Sequence, residues 1–381
     1  MKIERRHLTE VQYARAFAIF AVLAVHSSST GVTLVSHSSF TFLFYNFFNI
    51  AGKLGTPTFI FLSSFVLFYT YYYREFSFHL LKQFYKKRLL YILVPYLFFS
   101  IVYFSVVQLI YGEETSWALL IRDFFIKLAT GDAYAHLYFV FVSVQFYLMF
   151  PVLLLLFKKS AFIRRYALPI GIALQWSWVW LNAEFFQSPM KGSIAFSYFM
   201  FYFFGAFLGV NYEKIAVYLF DWKRYTLAIA AIFIGYGFMM NLYVGVYYLT
   251  RTGQLSPSNE LVEFAWSMHA LFASSSIFIV VHFFKFWKNE WVKNMLYEIG
   301  AVSFGIYLIH PLFLLFLRAA LPSGTPIVFH SWQLFTLIVI FIGSWLIVRL
   351  TFNYLPYSWI IFGKDGTPAY PPAKTARKAN A

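Results

Sequence analysis

Ten apolar stretches, each about 20 residues long, recur along the 381-residue chain and constrain its fold more than any other feature. They cover residues 11–31, 54–73, 89–111, 134–157, 166–183, 193–211, 225–248, 260–284, 298–320 and 331–354. A helix needs about 20 apolar residues to cross the roughly 30 Å hydrocarbon core of a bilayer. With 61% hydrophobic and 12% charged residues, the chain cannot cover a water-soluble globule with polar surface. We therefore predict an all-α integral membrane protein with about ten transmembrane helices and no soluble domain.

The segments outside these spans are short. Residues 32–53 are aromatic but interrupted by polar side chains, so we expect a helix or loop at the membrane interface. The amphipathic segment 117–129 is also expected there. The end of the chain is rich in Pro, Ala and Lys, a composition typical of disorder. The sequence thus predicts a membrane domain over residues 1–354 and a short basic, disordered tail over 355–381. We expect no cleavable signal peptide.

Lys and Arg are distributed unevenly among the connections. With the N-terminus in the cytoplasm, 22 of the 30 fall inside and six outside, and Arg15 and Arg349 lie within spans. This bias predicts that both termini are cytoplasmic. Anionic lipid headgroups then account for the net charge of +15, and no nucleic-acid partner is needed. The chain has no Cys, which excludes disulfides and thiolate metal sites, and we expect no metal.

Two ionisable residues, Arg15 and His26, share one face of the first span. Their separation of eleven residues corresponds to about three turns and roughly 16 Å along the axis. Ionisable groups inside a membrane are costly, so each suggests a function. Arg15 could hold an anionic donor from the cytoplasm, and His26, near the outer side, could take a proton from an attacking hydroxyl. Alternatively, Arg15 reaches the inner headgroups and His26 only caps the helix.

A second cluster lies in the ninth span, where Ser303, Tyr307 and His310 share one helix face. Pro311 has no N–H, so the Tyr307 carbonyl loses its helical partner and becomes available to a neighbour or ligand. The alternative is a kinked helix with a buried, hydrogen-bonded histidine. We expect His310 to face the protein and to approach Arg15.

Other polar side chains within spans are Ser63, Ser64, His136, Gln145 and His269. Each alone is typical of interhelical hydrogen bonding or close helix packing. The chain has no phosphate-binding glycine loop, no metalloprotease motif and no serine-hydrolase elbow. Carboxylates are scarce within the spans, with Glu298 the main exception, which argues against an ion-coupled pump.

Four segments, in order, resemble the acyltransferase-3 family of bacterial membrane proteins. They are R-x10-H from Arg15 to His26, FIFLSSF at 59–65, KKRLLYILVPY at 86–96 and SFGIYLIHPL at 303–312. The segment HLYFVFVSVQFYLMFP is similar to the branch acting in surface-polysaccharide assembly, including the O-succinyltransferases of the intercellular adhesin. The resemblance covers nearly the whole chain. The chain departs from the family at Ser64, where Gly is usual, at Tyr91, where a second arginine is usual, and in having no C-terminal hydrolase-like domain.

The resemblance implies a membrane O-acyltransferase of the bacterial plasma membrane. It would move an acetyl or succinyl group from cytoplasmic acyl-CoA, a substrate and not a tightly bound cofactor, to a hydroxyl of an extracytoplasmic glycan. Arg15, with Lys87 and Arg88, would hold the CoA phosphates, because arginine suits bidentate phosphate contacts. His26 would act as general base or transient acyl carrier.

The resemblance also implies that His310 and Tyr307 orient the thioester or polarise its carbonyl. Further side chains expected to line the substrate site are Ser63, Gln145 and His136. Polysaccharide biosynthesis proteins are possible partners. Two alternatives stay open: a transporter or flippase that moves a glycan without acyl chemistry, and a structural subunit of a polysaccharide synthase.

Overall fold

A computed structural model describes residues 8–112, 116–221 and 223–364. Over these residues the regular structure is helical, as predicted. The first eight α-helices are α1 (Thr9–Leu34), α2 (Phe40–Ala51), α3 (Gly55–Tyr71), α4 (Phe78–Tyr111), α5 (Trp117–Thr130), α6 (Tyr138–Lys159), α7 (Ala161–Arg165) and α8 (Ala167–Leu181). They are followed by α9 (Phe199–Phe220), α10 (Thr226–Arg251), α11 (Asn259–Phe283), α12 (Glu290–Ala301), α13 (Ser303–Ala319), α14 (Pro326–Tyr354) and α15 (Trp359–Phe362).

Short polar side chains begin several of these helices. Ser39, Ser77 and Ser258 each accept a hydrogen bond of 3.2 Å from the backbone N–H three residues later, at the starts of α2, α4 and α11. Asn289 does the same for α12 at 3.1 Å. Pro326 is the first residue of α14, where its missing N–H costs nothing. These caps satisfy backbone donors that would otherwise be left unpaired.

Seven helical segments within the described residues are long and apolar enough to cross a membrane, or eight if the bent pair α12–α13 counts as one. They are α1, α2 with α3, α4, α6, α10, α11 and α14. The chain is therefore a multi-pass membrane protein. The predicted spans 166–183 and 193–211 do not meet this test: α8 has only 15 residues, and the second half of α9 contains Asn211, Glu213 and Lys214.

Several predicted boundaries differ from the structure. Capped at Ser77, α4 begins before the predicted span at 89, so the basic segment around Arg88 is helical. The ninth span is not one helix, because the chain bends by 73° between α12 and α13 at Val302. Part of the segment expected to be a disordered tail forms α15, whereas residues 365–381 lie outside the described residues.

The described residues form two compact units. Unit A comprises residues 8–59 and Tyr218–Pro356, and unit B comprises Ile60–Val217 and Tyr357–Lys364. The division falls within α3 and α9. Unit A is thus built from the start and the last third of the described chain.

In unit A, α1 is the central helix and packs against α2, α11, α12, α13 and α14. Its small side chains Ala14, Ala16 and Ala18 are fully buried, which lets neighbouring backbones approach closely. The closest approach is at Gly300 of α12, where an added Cβ would lie 1.8 Å from the carbonyl oxygen of Gln12. Only glycine fits there.

A salt bridge joins α12 to α14 in unit A. Arg349 Nε donates to Glu298 Oε1 at 2.7 Å, and Trp345 Nε1 donates to the same oxygen at 3.1 Å. The two charged side chains are only 14% and 13% exposed. Glu298, the main intramembrane carboxylate of the sequence, is therefore neutralised by one of the two intramembrane arginines.

Unit B is held by aromatic packing. Phe150 of α6 lies between Phe84 of α4 and Phe68 of α3, with ring centroids 4.8 and 5.6 Å away. In the same unit α15 packs on α4, where the Trp359 ring lies edge-on to Tyr91 with centroids 5.7 Å apart. Tyr91 therefore contributes an aromatic contact to the packing of α15 on α4.

Candidate functional site

The helices α1 and α13 bring His26 and His310 together in unit A. Their ring centroids are 5.1 Å apart, and the ring planes are inclined by 57°. His310 is fully buried, as expected of a residue that faces the protein, and His26 is half-buried. The sequence singled out each histidine, but it did not predict that the two rings meet.

The orientation of His310 follows from the proline beside it. Because Pro311 has no N–H, the Tyr307 carbonyl is free of its usual helical partner, as predicted, and His310 Nδ1 lies 2.8 Å from that oxygen. The Ile306 oxygen is 3.2 Å from the same nitrogen. A carbonyl only accepts, so Nδ1 carries the proton and Nε2 of the neutral ring has the lone pair. The helix continues through Pro311.

An arginine that sequence reasoning missed contacts the first histidine's backbone. Arg318 Nη2 donates a 2.9 Å hydrogen bond to the carbonyl oxygen of His26. Arg318 lies eight residues, about two turns, after His310 on α13, near the helix end. The sequence counted it only as an outside charge. Its position on the same helix as His310 was the signal that could have found it.

Arg15 lies on α1 about three turns before His26 and is half-buried. Its Nη1 is 3.4 Å from Gln12 Oε1. The backbone of Gln12 is the point where Gly300 of α12 touches α1, so the packing of α12 positions this turn of the helix. The expected approach of Arg15 to His310 stays a prediction.

In unit B, Tyr147 of α6 links two of the predicted site residues. Its hydroxyl lies 3.3 Å from Ser63 Oγ of α3. The Arg88 guanidinium of α4 is 6.0 Å from the centroid of the Tyr147 ring. The neighbouring Lys87 is exposed. A serine and a cation from different helices thus meet at one tyrosine.

Gln145 and His136, predicted to line a substrate site, make packing contacts. Gln145 Nε2 donates to the Ser193 carbonyl at 2.7 Å, and its Oε1 accepts from the Ala195 N–H at 3.0 Å. This amide ties α6 to the segment between α8 and α9. His136 is buried, with the Tyr103 ring 4.9 Å away. A role for either side chain in lining a substrate site stays a prediction.

His269 and Ser64 make interhelical hydrogen bonds, as predicted. His269 Nε2 lies 3.0 Å from the carbonyl oxygen of Ala51 in unit A. Ser64 Oγ donates to the Tyr202 carbonyl at 2.6 Å in unit B. Within the described ranges no group of three or more His, Asp or Glu side chains could hold a metal ion.

The geometry can be compared with known families. The acyltransferase-3 family model, described as "Acyltransferase domain", matches residues 8–349. The chain belongs to this family. The match includes both histidines, Arg15 and the basic start of α4. No solved structure matches the chain.

Curated relatives carry two kinds of name. A "Probable poly-beta-1,6-N-acetyl-D-glucosamine export protein" of Staphylococcus aureus is 26% identical over 360 residues, covering 89% of this chain and 92% of the relative. A protein of the same name from Staphylococcus epidermidis is 26% identical, covering 91% and 92%. A "Putative membrane-bound acyltransferase YfiQ" of Bacillus subtilis is 25% identical, covering 68% of each chain.

Proposed function

We propose that the chain is an O-acyltransferase that moves an acetyl or succinyl group from cytoplasmic acyl-CoA to a hydroxyl of an extracytoplasmic glycan. One observation carries this proposal: His26 of α1 and His310 of α13 meet in unit A with ring centroids 5.1 Å apart. Two neighbouring imidazoles can take up a proton and share it through a hydrogen bond. Membership of an acyltransferase family and the relatives' names support an acyl group and a glycan, respectively.

The proposed reaction assigns the proton steps to the chain's own residues. His26 takes the proton of the glycan hydroxyl, and the hydroxyl oxygen bonds to the thioester carbonyl carbon. The C–S bond breaks, and CoA leaves as a thiolate that receives the proton from His26. His310, held through Nδ1, can accept a hydrogen bond from the protonated His26 at Nε2. A positioned base contributes about 10²–10⁴-fold. A transient acyl group on His26 is the alternative route.

The remaining assignments concern the donor and the topology. We propose that Lys87 and Arg88, which the charge bias puts on the cytoplasmic side, attract the CoA phosphates, and that Arg15 contributes its charge from within the first span. We also propose that α8 and α9 cross the membrane, which gives ten spans with both termini in the cytoplasm. The hydroxyl would then reach His26 from outside.

A second candidate function is export of a glycan without acyl chemistry. The name of the staphylococcal relatives as probable poly-beta-1,6-N-acetyl-D-glucosamine export proteins favours it. An exporter needs a polar path but no base, so loss of one imidazole should matter less to it than to a transferase.

The test is a cell-surface ester assay in a deletion strain complemented with wild type, His26→Ala, His310→Gln or His79→Ala. His79 is an exposed histidine in unit B and serves as the matched control. We expect esters to return with wild type and His79→Ala and to stay absent with the other two at equal membrane abundance. Isolated membranes should consume acyl-CoA in the same pattern. Normal ester content with reduced polymer export would overturn the transferase and favour the exporter.

A further inference from the structure

Two cations of unit A meet at one aromatic ring. Lys53 Nζ lies 4.3 Å from the centroid of Tyr247, and Arg251 Cζ lies 5.3 Å from the same centroid. Because both distances end at the same ring centroid, the two charges are no farther apart than these two distances added together. Only six Lys and Arg side chains fall on the outer side by the charge bias of the sequence, and two of those six come together here.

This pair of cations is held in place but not neutralised. Arg251 Nη1 donates to Asn46 Oδ1 at 2.8 Å, and Nη2 donates to Asn49 Oδ1 at 2.9 Å. Amide oxygens orient a guanidinium without cancelling its charge. In the part of the chain that the structure describes, no carboxylate forms a salt bridge with either cation. Two half-buried like charges are costly unless an anion joins them.

An apolar groove lies next to this cation pair, between α2 and α10. Its volume is about 480 Å³, within the range of about 300–1,000 Å³ typical of ligand sites. Its walls include Phe40, Phe44, Phe47 and Phe48 of α2 and Gly245 and Tyr248 of α10. Several of these rings are largely exposed, with Phe40 at 71% and Phe44 at 54%. In a membrane protein such a groove suits a hydrocarbon chain.

Asn46 connects the groove to the cations. Its side chain lines the groove, donates to the Val244 carbonyl at 3.2 Å and accepts from Arg251. A ligand that lies along this wall would meet an anion site at one end and aromatic side chains at the other. A neutral glycan can stack on the aromatic side chains but brings no anion to the two cations, whereas an anionic lipid has a group for each end of the site.

We propose that the groove between α2 and α10 binds an anionic phospholipid of the outer leaflet, with its phosphate at Lys53 and Arg251 and an acyl chain against the phenylalanines of α2. Asn49 joins this site to α1, because its Nδ2 donates to the Val25 carbonyl at 3.0 Å. The site is separate from the histidine pair, and its existence does not depend on acyl transfer.

The test is native mass spectrometry of the purified full chain, titrated with dioleoyl phosphatidylglycerol or dioleoyl phosphatidylcholine. We expect wild type to retain phosphatidylglycerol more tightly than phosphatidylcholine. Lys53→Gln should reduce that preference about fivefold, the contribution of one cation near an anionic headgroup. The cation–π contact with Tyr247 is the one polar contact of the Lys53 side chain within the described residues, so we expect this variant to keep the fold even if Arg251→Gln does not. Arg122→Gln, which changes an exposed cation of unit B, should leave the preference unchanged.

The groove is tested by two leucine substitutions on the same helix. Gly245 lines the groove and Gly237 does not, and a Cβ at either position meets no atom within 4 Å. Gly245→Leu should therefore fill the groove and lower retention of both lipids at least fivefold, whereas Gly237→Leu should bind as wild type does. Equal retention of the two lipids by wild type, or equal binding by the two leucine variants, would overturn the proposal.

Discussion

Replacing Pro311 by alanine tests how the buried histidine is oriented. The alanine restores an N–H four residues after Tyr307, and this N–H competes with His310 Nδ1 for the Tyr307 carbonyl, now 2.8 Å from the ring nitrogen. The ring should then be free to turn or to carry its proton on Nε2. The Pro311→Ala variant should therefore lose activity although every predicted catalytic side chain is still present.

Two opposing magnitudes follow from the structure. A neutral hydrogen bond contributes about 0.5–1.5 kcal/mol net, so the correctly held ring should fall in population by about two- to tenfold. Proline within a helix costs about 3 kcal/mol relative to alanine. Since α13 already continues through Pro311, stability should rise by no more than that. Activity and stability are thus expected to change in opposite directions.

The assay measures surface esters and acyl-CoA consumption beside thermal unfolding in detergent. We expect about two- to tenfold lower activity and an unchanged or higher midpoint temperature of thermal unfolding. Pro151→Ala is the control, because Pro151 also lies inside a helix, in unit B. It should leave activity unchanged. Wild-type activity in a stabilised Pro311→Ala variant would refute the argument that the Tyr307 carbonyl sets the orientation of His310.

Three further outcomes can be measured by the same assays. Glu298→Gln should lower the free energy of unfolding by about 3–5 kcal/mol because it leaves the Arg349 charge unpaired. The double variant Glu298→Leu with Arg349→Leu removes both charges and should lose less stability. A larger loss in the double variant would contradict this reasoning. Gly300→Ala should cost about 1–3 kcal/mol by overpacking against α1. Gly237→Ala, with open space around it, should gain up to about 1 kcal/mol, so similar effects of the two would be evidence against the close contact. Arg318→Gln should lower ester formation about two- to tenfold through the lost bond to His26, and full activity would exclude that role.

Much of the fold could be predicted because membrane helices are encoded locally. A run of apolar residues specifies a helix whatever it packs against, so most predicted spans lie close to observed helices. Ionisable residues inside such runs are rare enough to single out, which is how His26 and His310 were found. The freed carbonyl of Tyr307 was also predictable, since it depends only on the missing N–H of Pro311 four residues later.

Contacts between distant helices were not predictable from one sequence. Nothing local indicates that α13 lies beside α1, so the contact of Arg318 with His26 was missed. Nothing local indicates that α12, on one side of the bend at Val302, packs against α1, or that α2 packs against α10 and so brings Lys53 and Arg251 together. The hydrogen bonds of the Gln145 amide to Ser193 and Ala195 are likewise contacts between segments that lie far apart in the sequence.

The discontinuous construction of unit A has a consequence for biogenesis. The roughly 270 residues between the end of α1 and the start of α13 take about 15–50 s to synthesise at about 5–20 residues per second. During that interval α1 is already in the bilayer with Arg15 and His26, but the helix that supplies His310 has not yet left the ribosome. The polar side chains of the nascent first helix must therefore contact the insertion machinery or lipid headgroups during this time. Substitutions of these side chains should reduce the yield of inserted protein as well as the activity of the folded protein.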